Sequence, residues 1–216
     1  MGFFNKLFRN IKVANTDESI EEGIFNKFVQ TYKPADNLVK PTQQILDWYR
    51  DKLPADMLEF WRDYGFGNFG DGVIKVVEPS DYMDSFYAWT GTRDYAKLPI
   101  LVTAFGDIFY YRKLSGDNED ISLLDIHYRK IDVCEYSLKD FFGKYIVNKE
   151  LAAGLLKKQL FEQGLSKLGL LKPDDIYYFQ PALFLGGSPE PEYLSKGIGS
   201  VHQMVLLQLG QQQGLY

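Results

Sequence analysis

The stretch PILVTAFGDIFYYRKLSGDNEDISLLDIHY, residues 99–128, decides the fold. It holds three runs rich in β-branched and aromatic residues: Pro99 to Phe105, Ile108 to Arg112 and Ile121 to Tyr128. Gly106 and Asp107 divide the first two with the chemistry of a two-residue type II′ hairpin, and the polar run Ser115 to Asp120 divides the second from the third. Strands joined by connections this short must run antiparallel, because a parallel pair needs a crossover of a dozen residues or more. The middle of the chain is therefore a β-meander, which Val73 to Val77 extends upstream and Val133 to Tyr136 downstream.

Helical periodicity lies on either side. Ser19 and Glu22 form a capping box before Ile24, Phe25, Phe28, Val29 and Tyr32, and Thr42 precedes a short helix carrying Ile45, Leu46, Trp48 and Tyr49. Leu53, Met57, Leu58, Trp61 and Tyr64 then form one apolar stripe, with Pro54 in the first turn and Gly65 beyond the last. After the meander, Ser137 caps a helix with Leu138, Phe141, Phe142 and Tyr145 on one face, and Leu151 to Gly164 reads as one longer helix. Ile176 to Phe179 is an apolar run, Gly186 to Pro189 a loop, and Ser200 with Gln203 a second capping box for a terminal helix. The expected architecture is α+β: N-terminal helices packed on an antiparallel meander, then a mainly helical C-terminal subdomain. The expected divisions are an extension over 1–19, an α+β domain over 20–136 and a C-terminal subdomain over 137–216.

Composition narrows the function classes. With 45% hydrophobic residues, the 216-residue chain can build a sizeable core without staples, and its single cysteine, Cys134, cannot form an internal disulfide. The absence of a secretory signal pattern and of any long apolar run points to a cytoplasmic protein. A formal charge of −5 argues against a general nucleic-acid binder and favours a partner with a basic surface. Phe3, Phe4, Leu7, Phe8 and Ile11 beside Lys6, Arg9 and Lys12 could lie on an anionic membrane, but docking on the fold is the simpler expectation.

No catalytic motif emerges, and no cofactor or metal is expected. Gly65, Gly67 and Gly70 spell G-x-G-x-x-G, yet they leave a helix and open a strand, the reverse of a dinucleotide fingerprint. His127 and His202 have no second metal-type ligand at a recognised spacing, and Cys134 sits among apolar residues as an inert thiol would. Carboxylates abound, so an acid–base pair meeting across a cleft stays open as an alternative.

The segment Glu78 to Lys97 is aromatic and acidic and has no clean period. It reads as a long connection, the kind of segment that carries function, and its Tyr, Trp, Met and Arg are types enriched at protein interfaces. The candidate contact residues are Asp81, Tyr82, Asp84, Tyr87, Trp89 and Asp94, joined by Asp117, Glu119 and Asp120 of the following turn.

The stretch LPADMLEFWRDYG, residues 53–65, followed by Gly70-Asp71-Gly72, resembles the opening of GAD-like domains and also the start of SMI1/KNR4-like immunity proteins. FQPALFLGG, residues 179–187, with His202 and Leu206 to Leu209 beyond it, resembles the C-terminal domain of Tdi1-type immunity proteins. The resemblance implies a cytoplasmic immunity protein that binds a cognate type VI secretion toxin, often a nuclease such as a DNase, with no catalytic residue to carry over. Two alternatives stay open: a hydrolase that reverses a toxin's modification of its target, and a sensor or scaffold that binds a small ligand between its two halves.

Overall fold

The computed structural model describes residues 23–214, so the Ser19–Glu22 capping box and the extension over 1–19 lie outside the described residues. Six strands form one antiparallel sheet in sequence order: β1 Gly67–Phe69, β2 Ile74–Val76, β3 Lys97–Thr103, β4 Ile108–Lys113, β5 Glu119–Asp125 and β6 Lys130–Glu135. The meander is as expected, with β1 added. That strand carries Gly67 and is three residues long, too short to show a period of two. Between β3 and β4 the connection is Ala104 to Asp107, not a two-residue turn. The Gly106 N–H closes a turn onto the Thr103 carbonyl, and Thr103 N–H donates to the Asp107 carbonyl, both at 2.9 Å.

Alternation along the strands divides the core in two. Phe109, Tyr111, Ile121 and Leu123 face one side, while Ile108, Tyr110 and Leu124 face the other. The first side is covered by α1 Asn26–Thr31, α2 Gln43–Tyr49, α3 Ala55–Asp63 and the segment after β6. Phe25 stacks on Phe60 with ring centroids 4.4 Å apart, and Phe28 meets Phe142 edge-on at 5.1 Å. Such ring pairs add about 0.5–1.5 kcal/mol beyond their burial. Thr42 caps α2 by accepting the Ile45 N–H, and Ser137 caps the short α5 Leu138–Asp140, which passes into a π-helical turn over Phe141–Tyr145.

The opposite side is covered by α4 Met83–Thr90 and α8 Gly199–Gln212. Here the structure corrects the reading of Glu78 to Lys97 as a connection. Most of its middle is the helix α4, which buries Ser85, Phe86, Tyr87 and Trp89. Wedged between the sheet and α8, it is apolar around much of its circumference, so no single stripe appears in its sequence.

The single helix expected from Leu151 to Gly164 is two, α6 Lys149–Leu155 and α7 Lys158–Leu168. They break at Lys157, which is left-handed with φ +48°. Its ammonium lies 2.6 Å from the buried Asp107 carboxylate, and that pair fixes the break. Strands β7 Asp175–Phe179 and β8 Leu194–Ile198 form a separate hairpin, tied to the sheet by Tyr177 N–H donating to the Ala104 carbonyl. Because Phe105, Tyr177 and Phe179 share the first core, the C-terminal segment packs directly on the meander.

The capping box expected at Ser200 and Gln203 does not form, since Ile198 is the N-cap and no side chain caps α8. Gln203 is instead wholly buried. Its side-chain oxygen accepts from Ser85 and its amide donates to the Gly106 carbonyl, each at 2.8 Å. Tertiary partners bury this residue and outcompete the local cap.

Candidate partner-binding surface

Helix α8 contains no Asp, Glu, Lys or Arg. Its inner face presents Gln203, Leu206, Leu207 and Gly210 to the second core, which leaves Val201 and Val205, one turn apart, on the outside. Together with Ile198 and Leu185 they border a groove of about 610 Å³, whose wall is Tyr178 stacked on His202 at 3.8 Å. Val201 is 57% exposed and Ile198 54%, high values for neighbouring large apolar side chains on a protein surface.

Ile198 also lines a second cleft, of about 390 Å³, between β2 and the start of α8. Glu78, Asp81 and Asp174 border it. Burial, followed by the charges of Glu78 and Asp174, holds the Asp81 carboxyl above the usual carboxylate range. Glu78 in turn lines a third hollow, of about 520 Å³, with Ser80, Ile45 and Trp48. Helix α2 buries Leu46 and Tyr49, so Trp48 points outward and is 62% exposed, with the Lys52 ammonium 4.0 Å above its ring. The three hollows share residues and form one band from Trp48 across the acidic cleft to Val205. Large apolar groups within an acidic setting have the composition of a protein interface that meets a basic partner.

The residues expected to touch a partner are dispersed. Asp81 lies on the band. Tyr82 packs in the second core and also lines the acidic cleft; Tyr87 and Trp89 are buried in that core, and Asp120 is buried under Arg112, which forks onto its two oxygens with Nε at 3.0 and 3.1 Å. Glu119 accepts the Leu138 N–H at 2.7 Å. Asp94 ties the Ala96 N–H, Asp84 faces Arg93, and Asp117 is exposed in the β4–β5 turn, all away from the band's hollows. Sequence reasoning missed Trp48, Ile198, Val201 and Val205. The signal for the last two was the uncharged α8 with apolar residues on both faces; Ile198 gave none, because β8 alternates too weakly to read as a strand.

Polar groups that suggest catalysis serve the fold. Asp107 accepts the Ile126 N–H and the Lys157 ammonium, while Asp125 accepts the N–H groups of His127 and Tyr128. His127 falls in the turn after β5, not on a strand; its Nε2 lies 2.8 Å from the Phe105 carbonyl, and burial lowers its pKa. Burial pushes the Cys134 thiol up to about 11, the opposite of what a nucleophile needs. Gly65 sits in the turn from α3 into β1, Gly67 opens β1, and Gly70 follows its end. Gly65 has φ +98°, and a Cβ there would fall 2.6 Å from the Val39 carbonyl. Among the described residues no group of three or more His, Cys, Asp or Glu could hold a metal ion, and no helix is long and apolar enough to cross a membrane.

Comparison with known proteins gives two family matches in tandem. Residues 23–125 match the GAD-like domain, and residues 136–210 match the C-terminal region of the type VI secretion system immunity protein Tdi1. No curated protein matches the chain. Among solved structures, the crystal structure of Atu4351 from Agrobacterium tumefaciens is similar, with a TM-score of 0.67 and 16% identity over 85% of this chain and 88% of that one. At that identity the likeness is one of fold. The band draws on both matched regions, with Trp48, Glu78 and Asp81 from the first and Asp174, Ile198, Val201 and Val205 from the second.

Proposed function

Because the chain joins a GAD-like region to the C-terminal region of a type VI secretion immunity protein, we propose that it is an immunity protein that binds and neutralises a cognate toxin. Neutralisation is by stoichiometric, non-covalent occlusion of the toxin's active site or substrate channel. The observation that carries this reading is the continuous band, since separated apolar anchors with a central acidic cleft are what a large macromolecular partner can cover at once. A standard interface of about 1,600 Å² is wide enough to span such a surface.

A nuclease suits the charge of the band. Its substrate groove must be basic to hold phosphates, and Glu78, Asp81 and Asp174 offer that groove a complementary field, which speeds encounter. Burial of Trp48, Ile198 and Val201 would then slow dissociation. This surface keeps Asp81 and Tyr82 from the sequence-based set and moves the other apolar contacts away from α4, whose Tyr87 and Trp89 are used by the core.

Co-purification with the product of the adjacent gene, followed by titration of that product's toxic activity, tests the proposal. Inhibition complete at one equivalent is expected. Absence of a complex, or protection at far below one equivalent, overturns it in favour of an enzyme that undoes the toxin's chemistry.

A further inference from the structure

Lys75 projects from β2 onto the side of the sheet that also carries Val77 and Val102, and it lines the acidic cleft at the centre of the band. It is 8% exposed, and its Nζ makes no hydrogen bond to any described residue. An amine in that position is costly unless something meets it. Burial lowers its pKa to about 8, with the charges of Asp174 and Asp175 acting in the opposite direction.

Across the cleft stands the N-terminus of α8, fourteen residues long and without a side-chain cap. Its first residue, Gly199, donates its N–H to the Asp174 carbonyl at 2.7 Å. The next N–H groups, of Ser200 and Val201, have no acceptor within the helix, and Ser200 lines the cleft. A buried amine and an open helix N-terminus together make a place for one carboxylate.

The border of the cleft has the opposite character. Glu78, Asp81 and Asp174 repel a phosphate or any polyanion, and the Asp81 carboxyl, raised by burial and then by its acidic neighbours, gains from a nearby cation. Lys75 repels a simple amine. A ligand that carries an ammonium and a carboxylate on one carbon satisfies the whole arrangement, and Val39, Phe66, Val76 and Val77 leave it an apolar wall. The volume is at the small end of ligand pockets, roughly 300 to 1,000 Å³.

We propose that this cleft binds a free α-amino acid with an apolar side chain, its carboxylate held by Lys75 and the first turn of α8 and its ammonium by Asp81 and Glu78. A peptide terminus carries only one of the two charges, so the free amino acid is the occupant. The inference does not rest on toxin binding, because the chain alone suffices to test it.

The full-length chain is titrated calorimetrically at pH 7 with L-valine, L-leucine, L-isoleucine, L-methionine and L-phenylalanine to about 10 mM, alongside their N-acetyl and methyl-ester derivatives, n-butylamine and inorganic phosphate. At least one free amino acid is expected to bind and to raise the melting temperature by about 3 °C. The blocked derivatives lose that binding, as do Lys75→Met and Asp81→Asn, by more than about tenfold. Lys75→Met removes a buried unpaired amine and therefore stays folded, which a melting curve verifies. No binding by any of the five overturns the proposal. So does binding that survives Lys75→Met, or phosphate or n-butylamine binding as tightly as the amino acid.

Discussion

The indole N–H of Trp89 donates to the backbone carbonyl of Gln203 at 3.0 Å, joining two residues 114 positions apart in the chain. Around this bond Arg129 lies over the Trp89 and Phe184 rings and crosses α8 at Gly210, where a Cβ would fall 1.4 Å from its Nη1. Trp89 is thus where α4, the β5–β6 turn and the last helix lock together. Trp89→Ala is expected to destabilise the protein by about 3–5 kcal/mol, read from urea unfolding. A change below 1 kcal/mol, on the order of a surface substitution, would remove Trp89 from the core and return it to the candidates for partner contact.

The band makes a contrasting prediction. Val201→Asp and Trp48→Ala alter exposed side chains, so each should change stability by no more than about 0.5 kcal/mol. If the band meets the toxin, each should weaken the complex by about 2 kcal/mol, roughly thirtyfold. Surface plasmon resonance on the folded variants reads this, and unchanged affinity in both would place the contact elsewhere.

Asp107 and Lys157 form a buried ion pair that crosses from the β3–β4 loop to the break between α6 and α7. Lys157→Met leaves a buried carboxylate without its cation, at a cost of about 3–5 kcal/mol. The double variant Asp107→Asn with Lys157→Met should recover part of that loss, because no unpaired charge remains. A double variant no better than the single would mean that the carboxylate's other bond, to the Ile126 N–H, matters more than the pair.

Acid should destabilise the protein partly through its histidines. Burial and the nearby His127 lower the His202 pKa from its ordinary value to about 4, and burial lowers that of His127 itself. Between about pH 4 and 6.5 the unfolded chain therefore binds more protons at His202 than the folded one, and His127 acts in the same direction. The stability that His202 contributes is complete above pH 6.5 and is lost as pH falls toward 4. Urea midpoints across this range should flatten in His202→Gln; an unchanged slope would assign the acid sensitivity to other groups.

Much of the fold could be read locally. Residues 99–128 imposed an antiparallel meander because a period of two and short polar turns are properties of adjacent residues. The stripe from Leu53 to Tyr64 was legible for the same reason: one face is buried and the other is wet. Helix α4 escaped because it is buried on several sides, and the break at Lys157 escaped because its cause, Asp107, is fifty positions away. The site was less legible still. Aromatic residues in Glu78 to Lys97 looked like contacts, since composition does not distinguish a core helix from an interface.

What the sequence determined by itself was the α+β class, the order of the meander, the helix start after Thr42, the cap at Ser137 and a two-part family resemblance. Each depends on spacing along a short stretch of chain. Only the tertiary structure decided which apolar residues stay outside. Trp48 and Ile198 are separated by 150 positions, and they share one surface because the hairpin β7–β8 and α8 pack back beside β2. The same packing buried Gln203, which the sequence offered as a cap, and set Lys75 opposite the start of α8. Burial is a property of the assembled layers, so no local pattern could assign it.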